Sequence, residues 1–146
     1  MKILVGSDHA GFNLKEAVKK HLAQAGHQVT DVGVFNTDSA DYPQQAAQVA
    51  SGVAAGQAHR GVLVCGSGVG MSITANRFHG VRAVLAPTVE HARLGRQHND
   101  ANVLCLGQRL TPEPLAMEIL DAFMEQPFEG GRHARRVAKI DSLTGG

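Results

Sequence analysis

Five short apolar runs recur along the chain, each followed by residues spaced for a helix, and this alternation constrains the fold more than any other feature. The runs are KILVGS (2–7), QVTDVGV (28–34), GVLVC (61–65), VRAVLA (81–86) and NVLCLG (102–107). Between them, Leu14, Val18, Leu22 and Ala25 recur at helical spacing until Gly26 ends the pattern. Ala46, Ala47, Val49, Ala50, Val53 and Ala54 form a second helix with a small, close-packing face. Further helices are predicted over 71–78, over about 88–97, around Leu115, Ile119, Leu120 and Phe123 behind Pro112 and Pro114, and from near Arg132.

Continuous apolar strands alternating with helices predict an α/β fold, a five-stranded parallel sheet covered by helices on both faces. The expected architecture is Rossmann-like, with the flavodoxin-like strand order 2-1-3-4-5. All 146 residues are expected to form one domain, long enough to bury a hydrophobic core. QPFEGG (126–131) is the one place where the chain could leave the globule before a last helix, so about 127–146 reads as a C-terminal arm. The tail SLTGG is expected to be disordered. In such a sheet, ligands sit at the C-terminal ends of the strands, near the point where strand order reverses. The loops there are SDHAGF, CGSGVG and LGQR.

Charge and composition remove several classes. A formal net charge of +1, one Tyr and no Trp argue against nucleic-acid binding. No apolar run approaches the roughly 20 residues that span a membrane. The opening MKILVGSDHAG is too short in apolar length for a signal peptide. Cys65 and Cys105 lack the spacing of a disulfide framework and read as reduced thiols of a cytoplasmic protein.

CGSGVG carries the chemistry. Glycines at 66, 68 and 70 admit a ligand close to the backbone, and the loop opens a helix whose free N–H groups suit an anion or a developing oxyanion. A dinucleotide fold would carry G-x-G-x-x-G after its first strand and an acidic residue about 20 positions later, and neither is present. A phosphate-binding P-loop would end in Gly-Lys-Ser/Thr, whereas this loop ends Gly70-Met71-Ser72. A cysteine phosphatase would need Arg six positions after its cysteine to clamp phosphate, and that position is Met71. Two readings remain for Cys65. It is either a buried small hydrophobe at a strand end or a base beside an N–H cradle, taking a proton from carbon next to a carbonyl.

The other polar clusters are equally two-sided. Asp8-His9 is either a helix cap with a surface histidine or a pair at the mouth of the site. RQHNDAN (96–102) is either a polar helix end or a source of catalytic groups. A metal on Asp8, His9, His98 and Asp100 lacks any tight ligand spacing. Arg132, Arg135, Arg136 and Lys139 make a basic stripe, either a solvated face or one in which Arg132 and Arg136, a turn apart, grip a phosphate.

Together, GSDHAGFNLK, DYP, VLVCGSGVGMSITANRF with GVRAV, RQHNDANVLCLGQR and FEGGRHARRV resemble the ribose-5-phosphate isomerase B family, over nearly the whole chain. The same set is shared with galactose-6-phosphate and allose-6-phosphate isomerases. The resemblance implies aldose–ketose isomerisation of a sugar phosphate through a cis-enediolate, without metal or cofactor. It implies a homodimer with shared sites and the last helix on the partner subunit, with a tetramer as the larger option, and no nucleic-acid or membrane partner. It places the base on Cys65, the helper hydroxyl on Ser67 where the family usually has Thr, and ring opening on His98. Gly66, Ser67, Gly68, Val69 and Gly70 with Asn99 would hold the enediolate, and Asp8 and Tyr42 the sugar hydroxyls. His9 and Arg109, with Arg132 and Arg136 of the partner, would bind phosphate. The alternatives are the same mechanism on a four- or six-carbon sugar phosphate, and a non-catalytic sugar-phosphate-binding module.

Overall fold

Two of the apolar runs are buried at every residue, and they form the centre of the sheet. These are β3 (Arg60–Cys65) and β5 (Val103–Gly107). The computed structural model describes Met1–Gly145. The other strands are β1 (Lys2–Ser7), β2 (Gln28–Asp31) and β4 (Ala83–Leu85), and the helices are α1 (Phe12–Gln24), α2 (Tyr42–Ala54), α3 (Val69–Ala75), α4 (Val89–Asn99), α5 (Glu113–Glu125) and α6 (Arg132–Leu143). A 3-10 turn over His9–Gly11 joins β1 to α1.

The sheet is parallel throughout, and its order is β2-β1-β3-β5-β4. This corrects the expected 2-1-3-4-5 at one edge. The reason lies in the strands themselves. β5 is apolar and fully buried, so it needs a strand on each side, whereas the three half-buried residues of β4 suit an edge. The expected two-faced cover is present. α1, α4 and α5 bury Leu14, Val18, Leu22, Ala92, Ile119 and Phe123 on one face. α2 and α3 bury Ala46, Val49, Ala50, Met71 and Ala75 on the other.

Several helix ends follow local chemistry. Pro43 sits in the first turn of α2, where its missing N–H costs nothing, so the helix starts at Tyr42, ahead of its first apolar residue. Thr88 caps α4 by accepting the His91 amide at 3.2 Å, and Asp100 ends it in a left-handed conformation with φ 48°. The tail is more regular than expected. Ser142 and Leu143 complete α6, Thr144 and Gly145 form a turn, and Gly146 lies outside the described residues. His133 is the one buried residue of α6, so most of this helix has no partner within its own chain. Among the described residues, no helix is long and apolar enough to cross a membrane.

A buried ion pair locks α1 to the end of β2. The Lys15 side chain is fully buried, and its Nζ donates to Asp31 at 2.9 and 2.7 Å and to the carbonyl of Val34. Lys19 reaches the same carboxylate at 2.8 Å. Burial acts to raise the Asp31 carboxyl, but hydrogen bonds from Lys15, Lys19 and the Gly33 amide outweigh it and hold it below the ordinary carboxylate range. Asp31→Asn leaves the buried Lys15 ammonium uncompensated, with an expected loss of about 3–5 kcal/mol in denaturant unfolding. A folded-state value below the unfolded one also sets the sign with pH. The stabilisation is complete at neutral pH and is lost as pH falls below about 4. The difference in stability between wild type and Asp31→Asn should therefore shrink on acidification, measured by chemical denaturation at several pH values.

Candidate active site

Sheet order decides which loops meet. The order reverses between β1 and β3, so the turn after β1 lies beside the glycine loop after β3. With β5 on the other side of β3, Cys65 is in register with Gly107. The amides of Gln108 and Arg109 then donate to the carbonyls of Cys65 and Gly66 at 2.9 and 3.0 Å. Three loops thus enclose an open cavity of about 530 Å³, whose lining includes Asp8, His9, Cys65, Ser67 and Arg109.

The glycine loop is folded by contacts more than by glycine's freedom. Only Gly68 of its three glycines has a positive φ, 81°, and this turns the chain into α3. Gly68 is buried and its amide donates to the Cys65 Sγ at 3.1 Å. A hydrogen bond of this kind strengthens when the acceptor carries negative charge. Ser67 is exposed, and its Oγ accepts the Val69 amide at 3.2 Å, so the hydroxyl proton remains available to a ligand. The loop passes directly over β5, where a side chain on Gly107 would come within 2.6 Å of the Ser67 backbone. Met71, at the position where a phosphatase would carry its clamp, is fully buried in the core.

Cys65 is 6% exposed and borders the cavity, whereas Cys105 is 0% exposed within the sheet and its thiol is pushed up by burial. One cysteine borders the cavity and the other packs within the sheet. Asp8 is buried, and its Oδ1 accepts the Gly11 amide at 3.0 Å, so it does cap the turn after β1 as well as lining the cavity. His9 Nδ1 lies 3.0 Å from the Ala40 amide nitrogen and 3.2 Å from the Ala40 carbonyl oxygen, so the segment before α2 holds the ring at the cavity. Tyr42, at the start of α2, lies against Gly70, where a Cβ would meet its ring at 2.5 Å. Arg109 lies along Gly66.

Asp8, His9, Tyr42, Cys65, Gly66, Ser67, Val69, Gly70 and Arg109 therefore come together. His98, Asn99, Arg132 and Arg136 do not line this cavity. α4 runs from the C-terminal end of β4 back to the start of β5, so its last residues lie at the opposite end of the strands from the cavity. His98 stacks on His133 there, and Asn99 borders a second cavity of about 840 Å³ between the β4 edge and the end of α6. The four residues considered for a metal are divided between the same two places. Sequence reasoning missed Ala10, Ile73 and Leu110 at the cavity. Ile73 had a readable signal, because with Val69 it lies off the face on which Met71 and Ala75 are buried.

The comparisons with known proteins agree with this geometry. Residues 3–140 match the family model described as Ribose/Galactose Isomerase. Ribose-5-phosphate isomerase B of Escherichia coli K12 is 46% identical over 142 residues, covering 97% of this chain and 95% of that protein. The structure of Clostridium thermocellum ribose-5-phosphate isomerase B superposes with a TM-score of 0.97 at 44% identity, covering 98% of this chain and 97% of that one. That of Mycoplasma genitalium ribose-5-phosphate isomerase B with bound ribulose-5-phosphate gives 0.94 at 40% identity, covering 97% and 95%. An open cavity built from the turns after β1, β3 and β5, on a fold shared with these enzymes almost end to end, places the chain in the ribose/galactose isomerase family.

Proposed function

We propose that this isomerase interconverts ribose 5-phosphate and ribulose 5-phosphate by proton transfer between C2 and C1, with Cys65 as the base. The observation that carries the reading is the Cys65 thiol, bordering the cavity with the Gly68 amide directed at its sulfur. As a thiolate, Cys65 removes the C2 proton of the open-chain aldose, and the electron pair forms the C1–C2 double bond of a cis-enediolate. The loop 66–70 holds the oxygens as charge develops on them, with the Gly68 amide given to the Cys65 sulfur and the Val69 amide to Ser67 Oγ. Ser67 passes a proton between O1 and O2. Return of the proton to C1 and loss of the O2 proton give the ketose. Asp8 and Tyr42 contact sugar hydroxyls, and His9 and Arg109 take the phosphate. Side chains and backbone supply each of these steps, without metal or cofactor. A thiolate base suits a reducing, cytoplasmic setting.

His98, Asn99, Arg132 and Arg136 enter this reading from a second copy of the chain. Two features support that arrangement. In their own chain these residues sit away from the cavity. α6 also leaves Ile140 and Leu143 exposed, while the short β4 edge beside it borders a recess of mixed lining, with Phe78, Val81 and Leu85 beside Arg77, His79 and Arg82. In the dimer, Arg132 and Arg136 clamp the phosphate, Asn99 supports the enediolate, and His98 opens the furanose ring.

Two variants test the assignment. Cys65→Ala should lower solvent deuterium incorporation into ribulose 5-phosphate by at least about 10²-fold, followed by NMR in heavy water, while substrate still binds. Near-normal exchange removes Cys65 as the base, and absence of exchange in the wild type favours a non-catalytic sugar-phosphate-binding module. Arg136→Ala loses a charge-assisted contact to phosphate, so KM should rise about 10- to 100-fold in steady-state kinetics. An unchanged KM refutes phosphate binding there. The family description also includes galactose isomerases, so rates on four-, five- and six-carbon aldose phosphates decide among sugars.

A further inference from the structure

Three ionisable side chains meet away from the cavity. His98 at the end of α4 stacks on His133 of α6, with ring centroids 4.3 Å apart and planes within 11°. Glu129 Oε1 lies 3.6 Å from His98 Nε2 and 3.5 Å from His133 Nε2. One carboxylate oxygen thus faces a ring nitrogen of both imidazoles. We propose that Glu129 and His133 are positioning residues for His98, Glu129 as the ion-pair partner of its ring when protonated and His133 by stacking, together fixing the ring for the opening of the sugar. This role rests on the ring-opening assignment made above.

The surrounding chain is built to hold the trio. The Glu129 amide donates to the Gln97 carbonyl at 3.0 Å, and Gln97 Nε2 donates to Gln126 Oε1 at 2.9 Å. Arg96 Nε donates to the Gln126 carbonyl at 3.1 Å. The segment before α6 is therefore fastened to the last turns of α4. Gly130 and Gly131, with φ of 68° and 55°, turn the chain so that Glu129 and His133 flank His98, and the His133 amide closes the turn on the Gly130 carbonyl at 3.0 Å.

Charge favours one protonated ring over two. Both rings protonated would put like charges face to face, and Glu129 supplies only one balancing charge. The other charged groups acting on His133 are Arg132 and Arg136 of its own helix, which add positive charge. Asp100, two residues beyond His98, is engaged by Arg82 at 3.4 Å and Arg96 at 2.9 Å. Burial first, then His98 and Arg132, hold His133 below the ordinary histidine range although Glu129 pulls the other way. His133 is therefore the buried support, its protonation disfavoured, and His98 is the half-exposed ring that reaches a ligand. The same three side chains are ligand types for a metal. Near-parallel rings, however, aim their in-plane lone pairs side by side and not at a common point, which suits an intervening carboxylate better than a metal ion.

Ring opening breaks the C1–O4 bond. O4 takes a proton from His98, the C1 hydroxyl loses one to solvent, the C1 carbonyl forms, and solvent returns a proton to the His98–Glu129 pair. Ribulose 5-phosphate, whose C5 oxygen is esterified, cannot close a furanose ring, so its proton exchange bypasses this step. Glu129→Gln should reduce kcat for ribose 5-phosphate by about tenfold, a part of what a positioned acid contributes, with KM unchanged. Deuterium incorporation into ribulose 5-phosphate should stay at the wild-type rate, and His133→Asn should show the same split. Glu129→Asp should recover part of the loss, and thermal melting checks that each variant folds. Unchanged aldose turnover overturns the proposal, as does an equal fall in turnover and exchange. Normal exchange in Cys65→Ala would overturn the base assignment and leave this split intact.

Discussion

The pairing of β3 with β5 is the contact on which the cavity depends. It sets Cys65 against Gly107 and carries the Arg109 amide to the Gly66 carbonyl, so the loops after two central strands are bonded to one another. Had β4 occupied that place, the turn at Pro87 would have flanked the thiol and Arg109 would lie a strand further away. The absence of a side chain at Gly107 matters for the same reason, since the loop crosses there at backbone contact. The sheet centre thereby holds a thiol at the bottom of an opening that solvent and a small anion can enter.

Stability and chemistry are kept apart in this molecule. The buried Lys15–Asp31 pair fastens the segment after β2, whose Ala40 amide in turn holds His9. Arg60 is likewise buried, its guanidinium donating to the carbonyls of Phe123 and Met124 at the end of α5. Burial pushes it down to about 10, still charged at neutral pH. These cations face carbonyls and carboxylates on the outer sides of the sheet. Arg109, by contrast, is exposed at the cavity.

Much of the site was legible along the chain. Asp8-His9, the loop at 66–70 and Arg109 each follow an apolar strand, and a parallel sheet gathers the C-terminal ends of its strands. Strand order was legible in part. The wholly apolar β5 and the short β4 carried the information, but runs alone do not say which strand is the neighbour of which. The Glu129–His98–His133 group was not legible. Its members lie on two helices and a turn, and only the packing of α6 on α4 brings them together.

Elements, their faces and the family were determined by the sequence itself, because hydrophobic periodicity and loop chemistry are local properties that each segment carries unaided. Tertiary structure decided three things that local pattern does not encode. It placed β5 inside β4, which gave the thiol its arginine-bearing neighbour. It made Cys65 the cysteine at the cavity and Cys105 the one in the core, since exposure belongs to the packed sheet and not to the residue. It also carried His98, Asn99, Arg132 and Arg136 away from the cavity of their own chain, because α4 and α5 each start at the C-terminal ends of the strands and run back toward the other end.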